Sequence, residues 1–387
     1  MNLLLEKSEL SLIAEKVEHG KRLSFEEGLT LFRSRDLNGI GALANLVREK
    51  KNGNKAYFVI NLHIDYTNIC AVDCLFCSFR RDLGHSEGYT LSIDQILKKI
   101  ENVWDQGLTE LHMVGGLHPE LSYSYYLDLL SAIKKAYPTL HIKAFTCVEI
   151  DFFSQIYKKS AHEVLAEFKE AGLDSLPGGG AEIFDEKLRK KICGEKATGA
   201  RWLQVAKTAH RLGIPTNATM LYGHLEKLES RVEHLLALRS AQDETGGFRC
   251  FIPLAYHPEN NRMGKIGWTM GMDDLKTLAI SRLLLDNFNH IKAYWVMLTP
   301  ALSQVALSYG ADDIDGSVIE EKIYHDAGAK TQNALTRETL IKLISDAGRE
   351  PVERDAMYHE SLRFKVESSV RQASQQKQAE IRSLSKG

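Results

Sequence analysis

Short apolar runs that read as strands alternate with longer amphipathic stretches over most of this 387-residue chain. The spacing of apolar residues between the runs is helical. Strands joined through helices lie parallel with right-handed crossovers, and eight of them close into a barrel. The sequence therefore predicts the α/β class, with a (β/α)8 TIM-type barrel that carries N-terminal helices and a C-terminal helical extension. The predicted strands are Phe58–Ile64, Glu110–Val114, His141–Phe145, Ser175–Pro177, Thr216–Leu221, Gly247–Pro253, Lys292–Leu298 and Val305–Tyr309.

Composition shifts along the chain predict four segments. An N-terminal helical segment covers 1–50, the barrel covers 51–330, an extension packed on the barrel covers 331–364, and a polar tail covers 365–387. The tail is rich in Ser, Gln and Lys and has few apolar residues, so no packed core is expected there. The active site of such a barrel lies at the C-terminal ends of its strands, which directs attention to residues that follow each strand.

Charge and hydropathy exclude several classes of partner. Lys and Arg number 49 and Asp and Glu number 51, a formal charge of −2, so no basic excess points to nucleic acid. No apolar run is long enough to span a bilayer. The N-terminus carries acids where a signal peptide has a basic start. We therefore predict a cytoplasmic location, where thiols stay reduced, with no nucleic-acid or membrane partner.

Three cysteines lie on one short loop directly after the first predicted strand. Cys70, Cys74 and Cys77 have the spacing C-x3-C-x2-C. A cluster that only carries electrons usually has four protein thiolates, so three suit a 4Fe–4S cluster with one iron open to a small molecule. A closed zinc site is the alternative, with His63 or His85 as the fourth ligand.

Glycine pairs and triplets follow other strands of the predicted barrel. Gly115 and Gly116 follow the second strand, the run 178–180 follows the fourth, and Gly223 follows the fifth. Glycine lets the backbone approach a ligand closely. Because the ends of parallel strands meet at one rim, we expect these turns to face the cysteine loop.

The cysteine loop, placed after the first strand of a barrel, resembles the signature of the radical S-adenosylmethionine (SAM) enzymes. The segments VGGLHP, SLPGGGAEIFDE and TNATMLYGHLE, and the long stretch from Lys292 to Gly328, resemble the aminodeoxyfutalosine synthases of the futalosine route to menaquinone. The resemblance extends from about residue 45 to about residue 360. The same loop and glycine turns occur in cyclic dehypoxanthinyl futalosine synthase and in FO synthase.

The resemblance implies a radical SAM transferase that forms a C–C bond. A 5′-deoxyadenosyl radical, formed from SAM at the 4Fe–4S cluster, would add to the enol double bond of 3-[(1-carboxyvinyl)oxy]benzoate. Rearrangement and loss of bicarbonate would give 6-amino-6-deoxyfutalosine, so SAM is a co-substrate. A one-electron reductant such as flavodoxin or ferredoxin is the implied protein partner. The alternative within the superfamily is a relative that abstracts hydrogen; outside it, an iron–sulfur electron carrier or a zinc-stabilised binding protein remains open.

Residues at the predicted rim are candidates for binding SAM. The ring of Phe76 is expected to pack on the adenine or to cover the cluster. Glu182 is expected to accept from the ribose hydroxyls, although an exposed first-turn helix acid is the alternative. The complete predicted set is Phe76, Gly115, Gly116, Gly178, Gly179, Gly180, Glu182, Met220, Tyr222 and Gly223.

The implied substrate carries two carboxylates, so it needs cations or hydrogen-bond donors. The candidates for substrate binding are Arg80, Arg81, Asn68 and Asn217. The candidates for catalysis are His257 after the sixth predicted strand and Asp313 and Asp315 after the eighth. The competing interpretations are solvated arginines, a structural histidine, and aspartates that only make a turn between glycines.

Overall fold

The computed structural model describes residues 9–264 and 269–361, and it forms a ring of parallel strands surrounded by helices. The predicted polar tail over 365–387 lies outside the described residues. The strands are β1 (Lys55–Val59), β2 (Asn61–Asp65), β3 (Glu110–Val114), β4 (His141–Ala144), β5 (Thr216–Tyr222), β6 (Phe248–Ala255), β7 (His290–Ile291), β8 (Asp313–Gly316) and β9 (Glu350–Glu353).

Within the described residues, three helices precede the barrel, and the others mostly connect its strands. The leading helices are α1 (Ser11–Glu18), α2 (Phe25–Arg33) and α3 (Leu37–Asn52). The others are α4 (Ile93–Trp104), α5 (Tyr123–Ala136), α6 (Cys147–Ile156), α7 (Ala161–Ala171), α8 (Glu186–Cys193), α9 (Gly199–Arg211), α10 (Leu228–Thr245), α11 (Gly271–Leu284), α12 (Trp295–Leu298), α13 (Pro300–Ala306), α14 (Ile323–Asp326) and α15 (Arg337–Asp346). No helix in the described parts of the chain is both long and apolar enough to cross a membrane.

Parallel pairing closes the ring, which confirms the predicted α/β barrel. The ladders join β2, β3 and β4, then β5, β6 and β7, and then β8 to β1. Single parallel bridges complete the circle: Lys143 pairs with Ser175, Leu176 with Thr216, and Lys292 with Asp313. The predicted strand Ser175–Pro177 is thus present only as two bridged residues.

The last two predicted strands are wrong in position. The run Lys292–Leu298 ends in a helix, α12, and the seventh strand is the shorter β7 before it. The run Val305–Tyr309 lies across the end of α13 and a turn, and the eighth strand is β8. A search for apolar runs misses β8 because the strand contains two aspartates. These aspartates can be buried because cations inside the barrel pair with them, which offsets the cost of burying their charges.

A buried ionic network closes the N-terminal end of the barrel. Arg354, which directly follows β9, donates from Nε to Asp313 Oδ2 at 2.7 Å, and the Tyr358 hydroxyl donates to the same oxygen at 2.7 Å. Lys143 pairs with Glu110 nearby. Because β9 pairs in parallel with β1, residues far along the chain contribute to this floor. Lys143 also lines a cavity on the side toward the C-terminal ends of the strands.

Candidate active site

A cavity of about 280 Å³ lies inside the C-terminal end of the barrel, and all three loop cysteines line it. The glycine turns after β3 and before β5 line it too, as the parallel strands predict. Of the predicted site residues, those on the cavity wall are Cys70, Cys74, Phe76, Cys77, Arg80, Gly115, Gly116, Gly178, Gly179, Gly180, Glu182, Asn217, His257 and Asp315.

Backbone hydrogen bonds hold the cysteine loop from several sides. The amide of Cys70 donates to Arg81 O at 3.1 Å, and that of Leu75 donates to Ile192 O at 2.9 Å, at the end of α8. The carbonyl of Leu75 accepts from the amide of Arg262 at 2.9 Å. The loop is therefore positioned by contacts from distant parts of the chain, so its thiols are preorganised for a metal group.

The thiols fit a cluster whose irons supply positive charge. Burial raises the pKa of Cys74 and of Cys77, although nearby Lys196 lowers it, so free thiolates are disfavoured there. A coordinating metal deprotonates such a thiol outright. Among the described residues, no three His, Cys, Asp or Glu side chains are grouped as the ligands of one metal ion. The thiolates of a 4Fe–4S cluster bind different irons and need no such convergence.

Lys196 is a cation beside the cysteine loop that the sequence prediction missed. Its Nζ donates to Glu182 Oε1 at 2.6 Å and lies 5.2 Å from the centroid of the Phe76 ring. Burial lowers the pKa of Lys196, but the charge of Cys74, where a metal group makes it a thiolate, and that of Glu182 outweigh burial and raise it. Burial raises the pKa of Glu182, but the charge of Lys196 and its hydrogen bond outweigh burial, so the pKa of Glu182 lies below its usual value. Both groups are therefore charged at neutral pH.

Strand β5 presents alternate residues to the cavity, which corrects two predictions. Asn217, Thr219 and Leu221 line the cavity, as successive inward positions of a strand must. Met220 and Tyr222 lie between these positions and face the surrounding helices. The Tyr222 hydroxyl donates to an oxygen of Asp274 on α11 at 2.8 Å, so the structure puts neither Met220 nor Tyr222, the predicted adenine contacts, on the cavity wall.

Gly223 is also displaced from the cavity wall. Its amide donates to Glu226 Oε1 at 2.6 Å, and its φ of +85° suits glycine at the turn after β5. The side chain of Thr269 would contact any added Cβ. The requirement for glycine thus comes from this turn, and the predicted contact with SAM is corrected.

Two of the predicted substrate ligands instead build the wall behind the cysteine loop. Arg81 donates from Nη1 to the carbonyl of Ser78 at 2.9 Å and from Nε to Glu87 at 2.8 Å. Asn68 donates to the carbonyl of Glu87 at 2.9 Å and accepts from the amide of Tyr89 at 2.8 Å. These contacts turn both side chains away from the cavity, so the prediction that they bind substrate is corrected.

Arg80 lies on the cavity wall but has partners of its own. Its Nε donates to Val72 O at 3.0 Å, and its Nη2 donates to Asp82 Oδ1 at 2.6 Å. The guanidinium therefore holds the cysteine loop at Val72. Its third nitrogen, Nη1, lies 3.7 Å from Asp73 Oδ1.

The predicted catalytic aspartates sit at different depths of the barrel. Asp315 lines the cavity, has a φ of 72°, and accepts from Lys292 Nζ at 3.0 Å. Asp313 lies below it, where Arg354 binds it in the ionic floor. Its proposed contact with substrate is corrected for this reason. His257 lines the cavity, with Nε2 3.2 Å from Met297 O.

Glu149 is a further buried acid on the cavity wall that the sequence prediction missed. Its Oε1 accepts from the Tyr66 hydroxyl at 2.8 Å and from the Gly115 amide at 3.2 Å, while Oε2 accepts from the Thr146 amide at 2.7 Å. Burial raises its pKa to about 7, although these hydrogen bonds lower it. The capping-box spacing from Thr146 to Glu149 was the available signal for a helix start here.

The turn after β3 packs so tightly on the cysteine loop that only glycine fits. A Cβ on Gly116 would lie 2.2 Å from Ile69 O and 3.0 Å from Cys70 Cβ. One on Gly115 would lie 2.5 Å from the Tyr66 ring. These glycines therefore set the position of the first cluster ligand as well as giving a ligand close access to the backbone.

We expect Gly116→Ala to displace the cysteine loop and to destabilise the fold by about 1–3 kcal/mol, the usual cost of overpacking. The iron content after anaerobic reconstitution should also fall, because the added methyl group would displace Cys70, one of the three predicted cluster ligands. Gly271→Ala is the matched control, since its added Cβ meets only the end of the Leu302 side chain, at 3.3 Å. Iron analysis and thermal unfolding of both variants check this; full iron content in Gly116→Ala would contradict it.

Family models match both halves of the chain. The model described as the radical SAM superfamily matches residues 64–238, and the CofH/MqnC C-terminal region matches residues 245–366. The FeFe-hydrogenase maturase HydG from Carboxydothermus hydrogenoformans has a similar fold, with a TM-score of 0.71 at 18% identity over 90% of this chain and 80% of that one. The fold and the cysteine loop thus define a radical SAM enzyme, which works with a 4Fe–4S cluster and SAM.

Curated relatives narrow the family further. The chain is 51% identical to aminodeoxyfutalosine synthase of Thermus thermophilus, over 90% of this chain and 95% of the relative. It is 45% identical to that of Streptomyces coelicolor, over 89% and 92%. A cyclic dehypoxanthine futalosine synthase of Halalkalibacterium halodurans is 39% identical, over 89% and 93%. The chain belongs to the aminodeoxyfutalosine synthase family.

Proposed function

We propose that this enzyme joins the 5′-deoxyadenosyl group of SAM to 3-[(1-carboxyvinyl)oxy]benzoate and releases bicarbonate, giving 6-amino-6-deoxyfutalosine for menaquinone synthesis. The supporting observation is one cavity that holds three cluster thiols at its mouth and polar side chains in its depth. The identity of 51% over nearly the whole chain favours this reaction over the hydrogen-abstracting alternative, whose relative is 39% identical.

The mouth of the cavity is the proposed SAM site. Cys70, Cys74 and Cys77 would hold the cluster, which would supply the electron for cleavage of SAM to methionine and the 5′-deoxyadenosyl radical. The backbone of the turn at Gly116 would contact the methionine end of SAM. Glu182, which Lys196 holds in position, would accept hydrogen bonds from the ribose hydroxyls. A carboxylate that is already held pays little entropy on accepting these bonds.

The depth of the cavity is the proposed site of the dicarboxylate. Lys292 binds Asp315 with one of its three donors, so its ammonium can also donate to a carboxylate above it. The Asn217 amide supplies a further donor, and His257 lines the same cavity. The protein must hold the alkene about 3–3.5 Å from C5′ of the adenosyl group.

Apolar side chains in the same wall exclude water from the reaction. They include Val114, Leu221, Ile252 and Leu254. A radical in a wet cavity would be quenched, whereas a dry, shaped cavity preserves it until addition. The cysteine loop at the cavity mouth is exposed to solvent at Asp73.

We propose that a cytoplasmic one-electron reductant, such as flavodoxin or ferredoxin, delivers the electron on the side of the loop where Asp73 lies.

Anaerobic turnover tests the proposed function directly. Reconstituted enzyme is incubated with SAM, dithionite and the enolpyruvyl benzoate, and the products are analysed by mass. We expect the mass of an adduct that retains the adenosine. Release of one 5′-deoxyadenosine per SAM with untouched substrate would contradict the proposal and favour hydrogen abstraction. Absence of SAM cleavage by protein that holds a reducible cluster would favour an electron carrier.

A further inference from the structure

Two polar atoms in the cavity wall are buried without a hydrogen-bond partner among the described residues. They are Oδ2 of Asp65 and the hydroxyl of Tyr294. Asp65 is 7% exposed and Tyr294 is 4% exposed, and both line the cavity. A buried polar group without a partner costs free energy, and such groups are rare in native structures unless a ligand or ordered water satisfies them. The two atoms therefore mark a place where a polar ligand group belongs.

The two side chains lie on the same side of the barrel. Asp65 ends β2 and shares its inward face with His63, two residues earlier. Tyr294 follows β7, and its ring is nearly parallel to that of His63, with centroids 6.4 Å apart. Around the ring of strands, only β8 separates β7 from β1 and β2. Asp65 is also among the charges that act on the Tyr294 hydroxyl, so the two groups lie near each other at the cavity wall.

The charges around Asp65 favour its neutral acid form. Burial raises the pKa of Asp65 well above its ordinary value, and the charge of Glu321 adds to this. Glu321 itself is paired with His325 Nδ1 at 2.7 Å. Lys322 opposes the rise, through its charge and its backbone amide. The ionisable side chains that face Asp65 from the neighbouring segments are His63, Tyr89, Tyr294, Glu321, Lys322, Tyr324 and Asp326.

A carboxylic acid and a phenol are both hydrogen-bond donors, and neither is positively charged. Two such donors match the oxygens of a carboxylate, and a bond from a neutral donor to a charged acceptor is among the stronger ones. A ligand alkene accepts no such bond, and an ether oxygen is a neutral and therefore weaker acceptor than a carboxylate. The chemistry of the pair thus selects an anion.

We propose that Asp65, as the acid, and Tyr294 donate hydrogen bonds to one carboxylate of the substrate, and that this pair selects for a carboxylate-bearing substrate. The inference rests on the proposed function, because it takes the enolpyruvyl benzoate as the ligand. It assigns a specificity role to two residues outside the cysteine loop and the glycine turns. Because the donor at Asp65 needs its proton, substrate affinity should fall as the pH rises toward the pKa of that acid.

Binding without turnover tests the pair. Isothermal titration of the reconstituted, oxidised enzyme with the enolpyruvyl benzoate, in the presence of SAM but no reductant, reports affinity alone. We expect Asp65→Ala and Tyr294→Phe each to raise Kd about tenfold, the usual effect of losing a bond to a charged group. Asp65→Asn keeps a neutral donor, so its Kd should stay within about threefold of the wild type. Tyr309→Phe, outside the cavity wall, is the matched control and should bind like the wild type.

The pH dependence separates a proton donor from a structural residue. As the pH rises through the pKa of Asp65, which lies well above the ordinary value, the Kd of the wild type should rise, while that of Asp65→Asn should stay flat. Asp65→Asn should also raise Tm, increasingly at higher pH. The reason is that an acid whose pKa is raised by folding must take up a proton, at a cost that grows above its unfolded pKa.

Each outcome has a distinct meaning. If Asp65→Asn weakens binding as much as Asp65→Ala, then Asp65 acts as a charged acceptor and the inference is wrong. If the variants fold, hold iron and bind like the wild type, the pair has no role in recognition and the inference is wrong. If the wild type itself fails to bind the enolpyruvyl benzoate, the proposed function fails, and the inference fails with it.

Discussion

We expect replacement of Cys74 with alanine to abolish the 4Fe–4S cluster and to lower product formation below detection. Cys74 is buried, and its loop offers only two further cysteines, Cys70 and Cys77. With one thiolate gone, a second iron loses its protein ligand, and the remaining pair cannot retain the cluster at the affinity that three thiolates provide. The same loss is expected for Cys70→Ala and Cys77→Ala. Iron and sulfide analysis, the visible absorption of the anaerobic protein and the turnover assay measure it.

Cys147→Ala is the matched control for these variants. Cys147 is equally buried, in the first turn of α6, and it is absent from the cavity wall. It should keep full iron content and nearly full activity, because deletion of one sulfur from the core costs little beyond packing. A Cys74→Ala variant that holds four irons and makes product would overturn the assignment of the cysteine loop.

We expect replacement of Lys196 with methionine to destabilise the enzyme by about 3–5 kcal/mol, the cost of leaving a buried carboxylate without its cation. Glu182 is the carboxylate concerned, since Lys196 Nζ lies 2.6 Å from its Oε1. Without Lys196, the strongest influence that lowers the pKa of Glu182 is lost, and only the charges of Arg189 and His224 oppose burial, which raises it. The stability deficit should therefore grow as the pH rises above about 4.5, the ordinary pKa of Glu. Anaerobic thermal unfolding at several pH values measures it.

A double variant tests whether the effect comes from that pair. Lys196→Met combined with Glu182→Gln removes the unpaired charge, so it should recover most of the lost stability. Lys190→Met, an exposed lysine on α8, should leave Tm unchanged. Equal stability of Lys196→Met and the wild type would show that the pair contributes nothing. Activity should fall in both Lys196 variants, because the proposed ribose acceptor loses either its orientation or its charge.

The architecture and the rim of the site followed from local patterns. Alternating apolar runs were enough to predict the barrel, and the position of Cys70 to Cys77 after a strand was enough to place these residues at its C-terminal end. The glycines at 115–116 and 178–180 reached the cavity for the same reason. These predictions succeeded because they depend on strand order and direction, which hydropathy encodes.

Local sequence patterns could not predict which side chains face the cavity or which residues distant in sequence form ion pairs. Every residue of β5 is buried, so hydropathy carries no period-two signal there, and Met220 and Tyr222 were placed on the wrong face. The strand β8 was missed because its acids are neutralised by Lys292 and Arg354. Lys196 lies in a loop after α8, and only the folded chain brings it to Glu182.

One available pattern was overlooked in β2. Polar residues alternate with apolar ones in the segment Asn61 to Asp65, although the whole strand is buried. Such alternation inside a barrel strand indicates polar side chains that face the interior. It would have pointed to His63 and Asp65 as residues of the cavity wall.

The fate of the adenosyl carbon tests the central claim most directly. SAM labelled with carbon-13 at C5′ is turned over with dithionite and the enolpyruvyl benzoate, and the products are separated and examined by carbon NMR. The label should appear in a product that carries the benzoate ring, with C5′ bonded to a carbon from the former vinyl group. Label found only in free 5′-deoxyadenosine would contradict C–C bond formation by this enzyme.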